Sequence, residues 1–239
     1  MSMKGIDVSK WQGNINWSLV KADFAILRAG FGKETSQKDP MFEAYYAGAK
    51  AANIPVGAYW YSYAKSAAEA KQEAAACLAA IKGKQFEFPI YFDIEDKSQT
   101  GLSTSVRTAM CEAFCETLEA AGYFVGVYAN TNWFRNYLDH ARLAKKYTIW
   151  LADYRTSYDK TLKRDMHQYT STGTVAGISG HVDMNTCTRD FPSIIKNAGL
   201  NGYSPRVVLK NITIKAASPG DINDFKQLAT NKGLEYSID

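Results

Sequence analysis

Over the first 190 or so residues, short apolar, β-branched and aromatic runs recur, each with the length and composition of a strand. The eight runs are GIDVS (5–9), FAILRAG (24–30), PVGAYWYSYA (55–64), PIYFDIE (89–95), FVGVYAN (124–130), YTIWLADY (147–154), MHQYTST (166–172) and HVDMN (181–185). Helical patterns fill several intervals between them: 39–53, 66–83 and 103–122, with Ser66 and Ser103 as N-caps and Gly83 and Gly122 as stops. Strands alternating with helices argue for a parallel sheet, and eight strands for closure into a barrel. The expected class is α/β, a TIM-like barrel. The connections after Asp153 are too short for full helices, and about 190 residues is small beside the roughly 250 usual for an eightfold barrel, so an irregular barrel with fewer helices is expected.

Near NAGLNGYSPR (197–206), Gly, Asn, Ser and Pro cluster and the strand pattern stops. The expected division is a barrel over 1–200, a linker over 201–205 and a small βαβ appendage over 206–239. In the appendage, 206–217 and 234–239 read as strands and 218–233 as a helix, with Ser218 at the N-cap and Pro219 at N1. A unit of under about 40 residues buries too little surface to be stable by itself. It is expected to dock on its barrel or to pair with a second copy, giving a homodimer through residues 206–239.

Composition limits the partners. Of the 239 residues 46% are hydrophobic and 22% charged, enough for a large core. The net charge of +4 is spread without a Lys/Arg block, so nucleic acid is not an expected partner, whereas an anionic surface is. The opening MSMKGIDVSKW has no apolar stretch of the kind that directs secretion, and no run reaches the length of a membrane span; neither a signal peptide nor membrane insertion is expected. Cys77, Cys111, Cys115 and Cys187 lie within helix or strand patterns without CxxC spacing and read as reduced core thiols.

The chemistry sits in PIYFDIED. Side chains alternate along a strand, so Asp93 and Glu95 face one side with Tyr91, while Phe92 and Ile94 face the other. In a parallel barrel the C-terminal strand ends carry the reactive groups. Asp7 in the first strand and Asp183 in the last would be neighbours once the barrel closes, bringing four acids to one mouth. Crowded carboxylates disfavour one another's ionisation, so one can keep its proton near neutral pH and act as a general acid. Glycoside hydrolysis needs that pairing of proton donor and anion. An acid–x–acid pair at a strand end is also how an ion-paired structural site looks. Tyr59, Tyr61 and Tyr63 share one face of their strand, and Tyr128, Trp150, Tyr154 and Tyr169 lie near later strand ends. Aromatic runs of this kind usually belong to a core, but a polar-tipped aromatic face at a barrel mouth also suits sugar rings.

The ordered set GIDVSKWQG, AILRAGFG, GAYWYSYA, PIYFDIED, GVYAN, WLADY and QYTSTGTVAGISGHVDMN resembles the family 25 glycoside hydrolases, muramidases found among phage endolysins and bacterial lysozymes. The likeness runs over about residues 4–190. It implies an irregular β/α barrel and cleavage of the β-1,4 bond between N-acetylmuramic acid and N-acetylglucosamine in bacterial peptidoglycan. Glu95 then corresponds to the general acid, Asp93 to the acid that orients the substrate's 2-acetamido group, and Asp7 and Asp183 to the other acids of the cleft. No metal or organic cofactor is implied. A phage endolysin would be made in the host cytoplasm and reach the wall on release, and its tail would serve wall binding or oligomerisation.

Two other readings fit a glycan-facing barrel. A non-catalytic glycan-binding barrel would keep the aromatics and lose the general acid, which is present here as Glu95. A metal-dependent carbohydrate deacetylase would need convergent His and Asp ligands, and the chain offers only His140, His167 and His181, on separate segments.

Overall fold

The computed structural model describes residues 2–157, 160–204 and 218–232. The eight expected strands are all present: β1 Met3–Val8, β2 Phe24–Phe31, β3 Val56–Tyr61, β4 Ile90–Asp93, β5 Val125–Asn130, β6 Thr148–Ala152, β7 Met166–Gly173 and β8 Val182–Cys187. They close in sequence order into one barrel. Neighbours from β1 to β7 pair in parallel, as expected, but β8 runs antiparallel to both β7 and β1. The cause is chain length. Only residues 174–181 join β7 to β8, and a parallel return needs a crossover of at least about 10–12 residues.

Helices cover only part of the barrel. The expected three are α1 Phe42–Ala51, α2 Ala67–Ile81 and α3 Thr104–Ala120. Ser66 accepts from the Glu69 N–H and Ser103 from the Val106 N–H, while Gly83 and Gly122 stop α2 and α3 at φ +74° and +84°. Three further helices belong to the same unit: α4 Thr131–Asn136, α5 His140–Lys146 and α6 Phe191–Ala198. The first two are too short to show a helical period in the sequence. No helix separates β6 from β7 or β7 from β8 among the described residues.

Alternation along the strands divides the apolar residues between two layers. Val8, Ala25, Leu27, Ala58, Phe92 and Val127 face outward into the layer under the helices. Phe24, Ile26, Phe88, Tyr91, Tyr128 and Trp150 fill the interior. Gly126 makes room there, since a Cβ on it would lie 2.5 Å from the Tyr91 ring. Phe191 and Ile195 of α6 are fully buried across the strand-start end, where Phe191 meets the rings of Phe88 and Phe124 at 5.7 and 5.8 Å. The barrel is therefore a bowl, sealed below and open at the strand ends above. The four cysteines are free and buried.

The expected linker differs from what forms. Asn201 is fully buried at φ +55°. Its Oδ1 accepts from the Phe124 N–H at 2.7 Å, and its Nδ2 donates to the Phe86 and Phe88 carbonyls at 3.2 and 2.9 Å. The Tyr203 hydroxyl donates to Glu87, which also meets Lys50 at 2.6 Å. Residues 199–203 thus fasten the strand starts of β4 and β5, because those backbone groups would otherwise be buried without partners.

The chain divides into two compact units, Met1–Arg206 and Val207–Asp239. In the second, the expected helix is α7, Pro219–Lys232, with the Asp221 N–H donating to Ser218 Oγ at 3.2 Å. The strands expected at 206–217 and 234–239 lie outside the described residues.

Asn201→Ala strips three buried backbone groups of their partners and should cost about 3 kcal/mol or more in urea unfolding, at roughly 1–3 kcal/mol for each group stranded. Ending the chain at residue 204 should leave the barrel's stability intact, whereas ending it at 200 should lower it by at least as much as Asn201→Ala.

Candidate active site

The mouth of the bowl is lined by inward-facing residues near the ends of the parallel strands and at the start of β8, which runs the other way. Antiparallel pairing of β1 with β8 sets Asp7 directly opposite Asp183. Across the barrel, Asp93 closes β4, in register with Tyr61 on β3 and Tyr128 on β5. The strand ends there, yet the Ile94 N–H still donates to the Tyr128 carbonyl at 3.1 Å, so the extended path continues one step. Ile94 is buried in the outer layer, and Glu95 turns inward beside Asp93. The four expected acids therefore meet at one mouth.

Each acid is held differently. Asp7 is buried, and its Oδ2 accepts from Gln168 Nε2 and Asn185 Nδ2, both at 2.8 Å. Those amides are fixed in turn: Gln168 Oε1 accepts from the Tyr128 and Tyr154 hydroxyls at 2.9 and 2.6 Å, and Asn185 Oδ1 from the Trp150 indole N–H at 2.8 Å. Glu95 is bound by the side chain of Asn130, whose Oδ1 caps α4 by accepting from the Trp133 N–H at 3.1 Å. Asp93 is 3% exposed, and its Oδ1 has no partner among the described residues. Asp183 lies nearest solvent.

Burial and crowding push all four toward the protonated form. Asp7 rises to about 8, chiefly through burial and then the charge of Asp183, against the two amide hydrogen bonds. Asp93 lies well above the carboxylate range through burial, with Glu95 and Asp7 adding to the effect and Arg28 opposing it. Glu95 is raised by burial, with Asn130 opposing and Asp183 and Asp96 adding. Asp183 rises to about 6 through burial. A site of this kind holds protons at neutral pH and can give one up to a leaving oxygen.

The expected aromatics separate into two groups. Trp150 is 1% exposed, with Tyr59, Tyr91 and Tyr128 packed round it at 6.1, 5.1 and 4.5 Å; it holds Asn185 and offers no open face. Tyr128 is likewise buried. Tyr59 is partly covered beneath the acids, whereas Tyr61 reaches the rim, where its hydroxyl donates to Asp96 at 3.1 Å. Tyr63 and Tyr154 are 45% and 51% exposed and can meet a ligand. Tyr169 sits at a bulge, where Gln168 pairs with Asn185 but Thr170 with Met184. Its ring lies 6.3 Å from His167, on the strand face away from Gln168, and so outside the acid cluster. The sequence reading missed Gln168, Asn185 and Asn130. All three occupy inward positions whose significance follows only from knowing which strand ends adjoin.

Two of the histidines are held elsewhere: His140 Nε2 meets the Lys163 carbonyl at 2.9 Å and His167 Nε2 the Asp153 carbonyl at 2.8 Å. Among the described residues no group of three or more His, Cys, Asp or Glu is placed to hold a metal ion.

Between about pH 4 and 8 the folded chain keeps a proton on Asp7 that the unfolded chain has released, so this residue makes stability fall as pH rises through that window. Asp7→Asn still accepts from Gln168 and Asn185 and has no proton to lose. Its melting temperature should exceed that of the wild type by a margin that widens from pH 5 to pH 8, at roughly 2–4 °C for each kcal/mol. Equal margins at both pH values would mean that Asp7 titrates as an ordinary carboxylate.

The chain is similar to known lysozymes in sequence and in fold. Lysozyme M1 of Streptomyces globisporus is 32% identical over 201 residues, covering 77% of this chain and 67% of its own; a clostridial autolytic lysozyme is matched over 55% of its length. The bacterial lysozyme of Streptomyces coelicolor superposes with a TM-score of 0.72 at 28% identity, over 82% of this chain and 98% of that one. The catalytic domain of endolysin ply40, from bacteriophage P40 of Listeria monocytogenes, gives 0.68 at 26% identity, over 82% and 97%. Residues 6–178 match the model of glycosyl hydrolases family 25, and the chain belongs to that family.

Proposed function

We propose that this barrel is an N-acetylmuramidase that cuts the β-1,4 bond between N-acetylmuramic acid and N-acetylglucosamine in bacterial peptidoglycan. The observation that carries this reading is the convergence of Asp7, Asp93, Glu95 and Asp183 on one mouth, with Asp7 locked by Gln168 and Asn185. Glu95 donates its proton to the glycosidic oxygen as the bond to C1 breaks. The acetamido carbonyl of the same sugar closes on C1, and Asp93 accepts from the acetamido N–H and steadies the charge that develops there. Glu95, now ionised, takes a proton from the water that opens the ring. Substrate assistance of this kind is a known departure from the two-carboxylate scheme. Tyr61, Tyr63 and Tyr154 supply the rim on which sugar rings lie.

Glu95→Gln keeps the side chain's size and its contact with Asn130 but removes the proton donor. It should reduce release of soluble fragments from purified peptidoglycan by at least the roughly 10²- to 10⁴-fold of general acid–base catalysis, with little change in melting temperature. In the wild type, mass spectrometry of the fragments should find new reducing ends on muramic acid. Reducing ends on glucosamine would assign the barrel to another glycosidase class.

The phage lysis role and a host-cytoplasmic origin rest on the likeness to endolysins. No helix among the described residues is long and apolar enough to cross a membrane. Residues 206–239 form the third part of the proposal, a separate unit that joins two copies and so strengthens attachment to a repeating wall. Exposed Phe225 and Leu228 on α7 support it, at 48% and 52%. Light scattering should show a dimer that becomes a monomer when residues 205–239 are removed, the cut being placed after Tyr203 because that residue belongs to the barrel. A monomer in both cases would reject pairing through the tail.

A further inference from the structure

One buried acid stands apart from the cluster at the mouth. Glu73 lies on the buried face of α2, among Ala70, Ala74 and Cys77. A carboxyl in such surroundings is costly unless its oxygens are engaged. Burial pushes it up to about 7, against hydrogen bonds from the Ser62 side chain and from the Tyr63 and Ala64 backbone. Its Oε1 accepts from the Tyr63 N–H at 2.7 Å. The acid therefore serves the connection between β3 and α2 rather than the helix that carries it.

That connection presents an aromatic ring at the rim from a fixed frame. Ser62 and Ala64 are both buried. The Ser62 N–H donates to the Asp93 carbonyl at 2.9 Å, and Ser62 Oγ accepts from the Ala64 N–H and from Gln99 Nε2, both at 3.2 Å. Gln99 Nε2 also donates to the Ala64 carbonyl at 3.0 Å. Tyr63 stands between these two anchors and turns outward, half-exposed, with its ring 5.1 Å from that of Tyr61 and 6.1 Å from that of Phe31. It also borders a groove of about 320 Å³, whose lining includes Lys33, Gln37, Glu69 and Glu73. A ring with open space beside it is not fixed by its own packing. The backbone bond to Glu73 does what packing leaves undone.

We propose that Glu73 is a positioning residue for sugar binding: by holding the Tyr63 N–H it keeps the Tyr63 ring at the rim beside Tyr61, and so sets how tightly a glycan is held next to Asp93. Glu73 touches neither the sugar nor the reacting atoms. The proposal rests on the muramidase reading and on Tyr63 as part of the rim, and the three can fail separately.

The test measures kcat and apparent KM on soluble, uncrosslinked peptidoglycan strands. Glu73→Leu puts an apolar side chain on an apolar helix face and leaves the Tyr63 N–H without its acceptor. Apparent KM should rise about tenfold, the loss of one aromatic contact. The change in kcat should stay within about twofold, because a rim contact is made equally before and during bond cleavage. Tyr63→Ala should do the same, and the double variant should be no worse than either single one, since both changes remove a single contact. Glu73→Gln again offers an acceptor to the Tyr63 N–H and should bring KM back toward the wild type. A purely structural role would lower the melting temperature and leave this coupling absent. A folded Glu73→Leu with the wild-type KM overturns the proposal, as do losses that multiply in the double variant. If Glu73→Leu does not fold, Glu73→Met, unbranched and adaptable, carries the same cycle. An unchanged KM in Tyr63→Ala removes that ring from the rim and the proposal with it. A wild type that releases no muramic-acid ends overturns the functional reading before any variant is made.

Discussion

Everything at the mouth depends on how the barrel is closed. A sheet of seven parallel strands would leave Asp7 on one edge, with Asp93 and Glu95 three strands away. The eighth strand, returned antiparallel because residues 174–181 are too few to cross over, pairs Asp183 with Asp7 and joins the edges. The same strand brings Asn185 beneath Asp7, and its partner β7 brings Gln168. One short connection therefore sets both the acid cluster and the amides that hold it.

The cluster is an electrostatic tension built into a rigid wall. Several carboxyl groups share the mouth, and burial together with neighbouring acids raises the proton affinity of Asp7, Asp93 and Glu95. Folding does not relieve this with ion pairs. It places neutral donors against Asp7 and Glu95, which favours one geometry without cancelling the charge. The aromatic layer below matters for the same reason. Trp150 and Tyr128 fix Asn185 and Gln168 by direct hydrogen bonds, so the apolar interior aims polar groups that are themselves remote from the helices.

Most of the strand order, three of the helices and all four acids could be read from the sequence, because each rests on local signals: alternation, caps, stops and an acid at a strand end. What escaped depends on contacts distant in the chain. Asn201 looked like a linker residue from its Gly, Ser and Pro neighbours, yet its amide joins segments over 70 residues away. Trp150 and Tyr128 looked like sugar platforms, since alternation says which face a residue takes but not how deep in the barrel it stands. Tyr169 follows Gln168 directly on β7, so alternation alone sets it on the other face, beside His167. The antiparallel course of β8 could have been inferred from the length of its connection alone.

The floor formed by α6 has a consequence for how a polymer is handled. With Phe191 packed against Phe88 and Phe124, the barrel has one entrance and no exit beneath it. A long glycan cannot be threaded through such a vessel. It reaches the acids and leaves them by the same mouth.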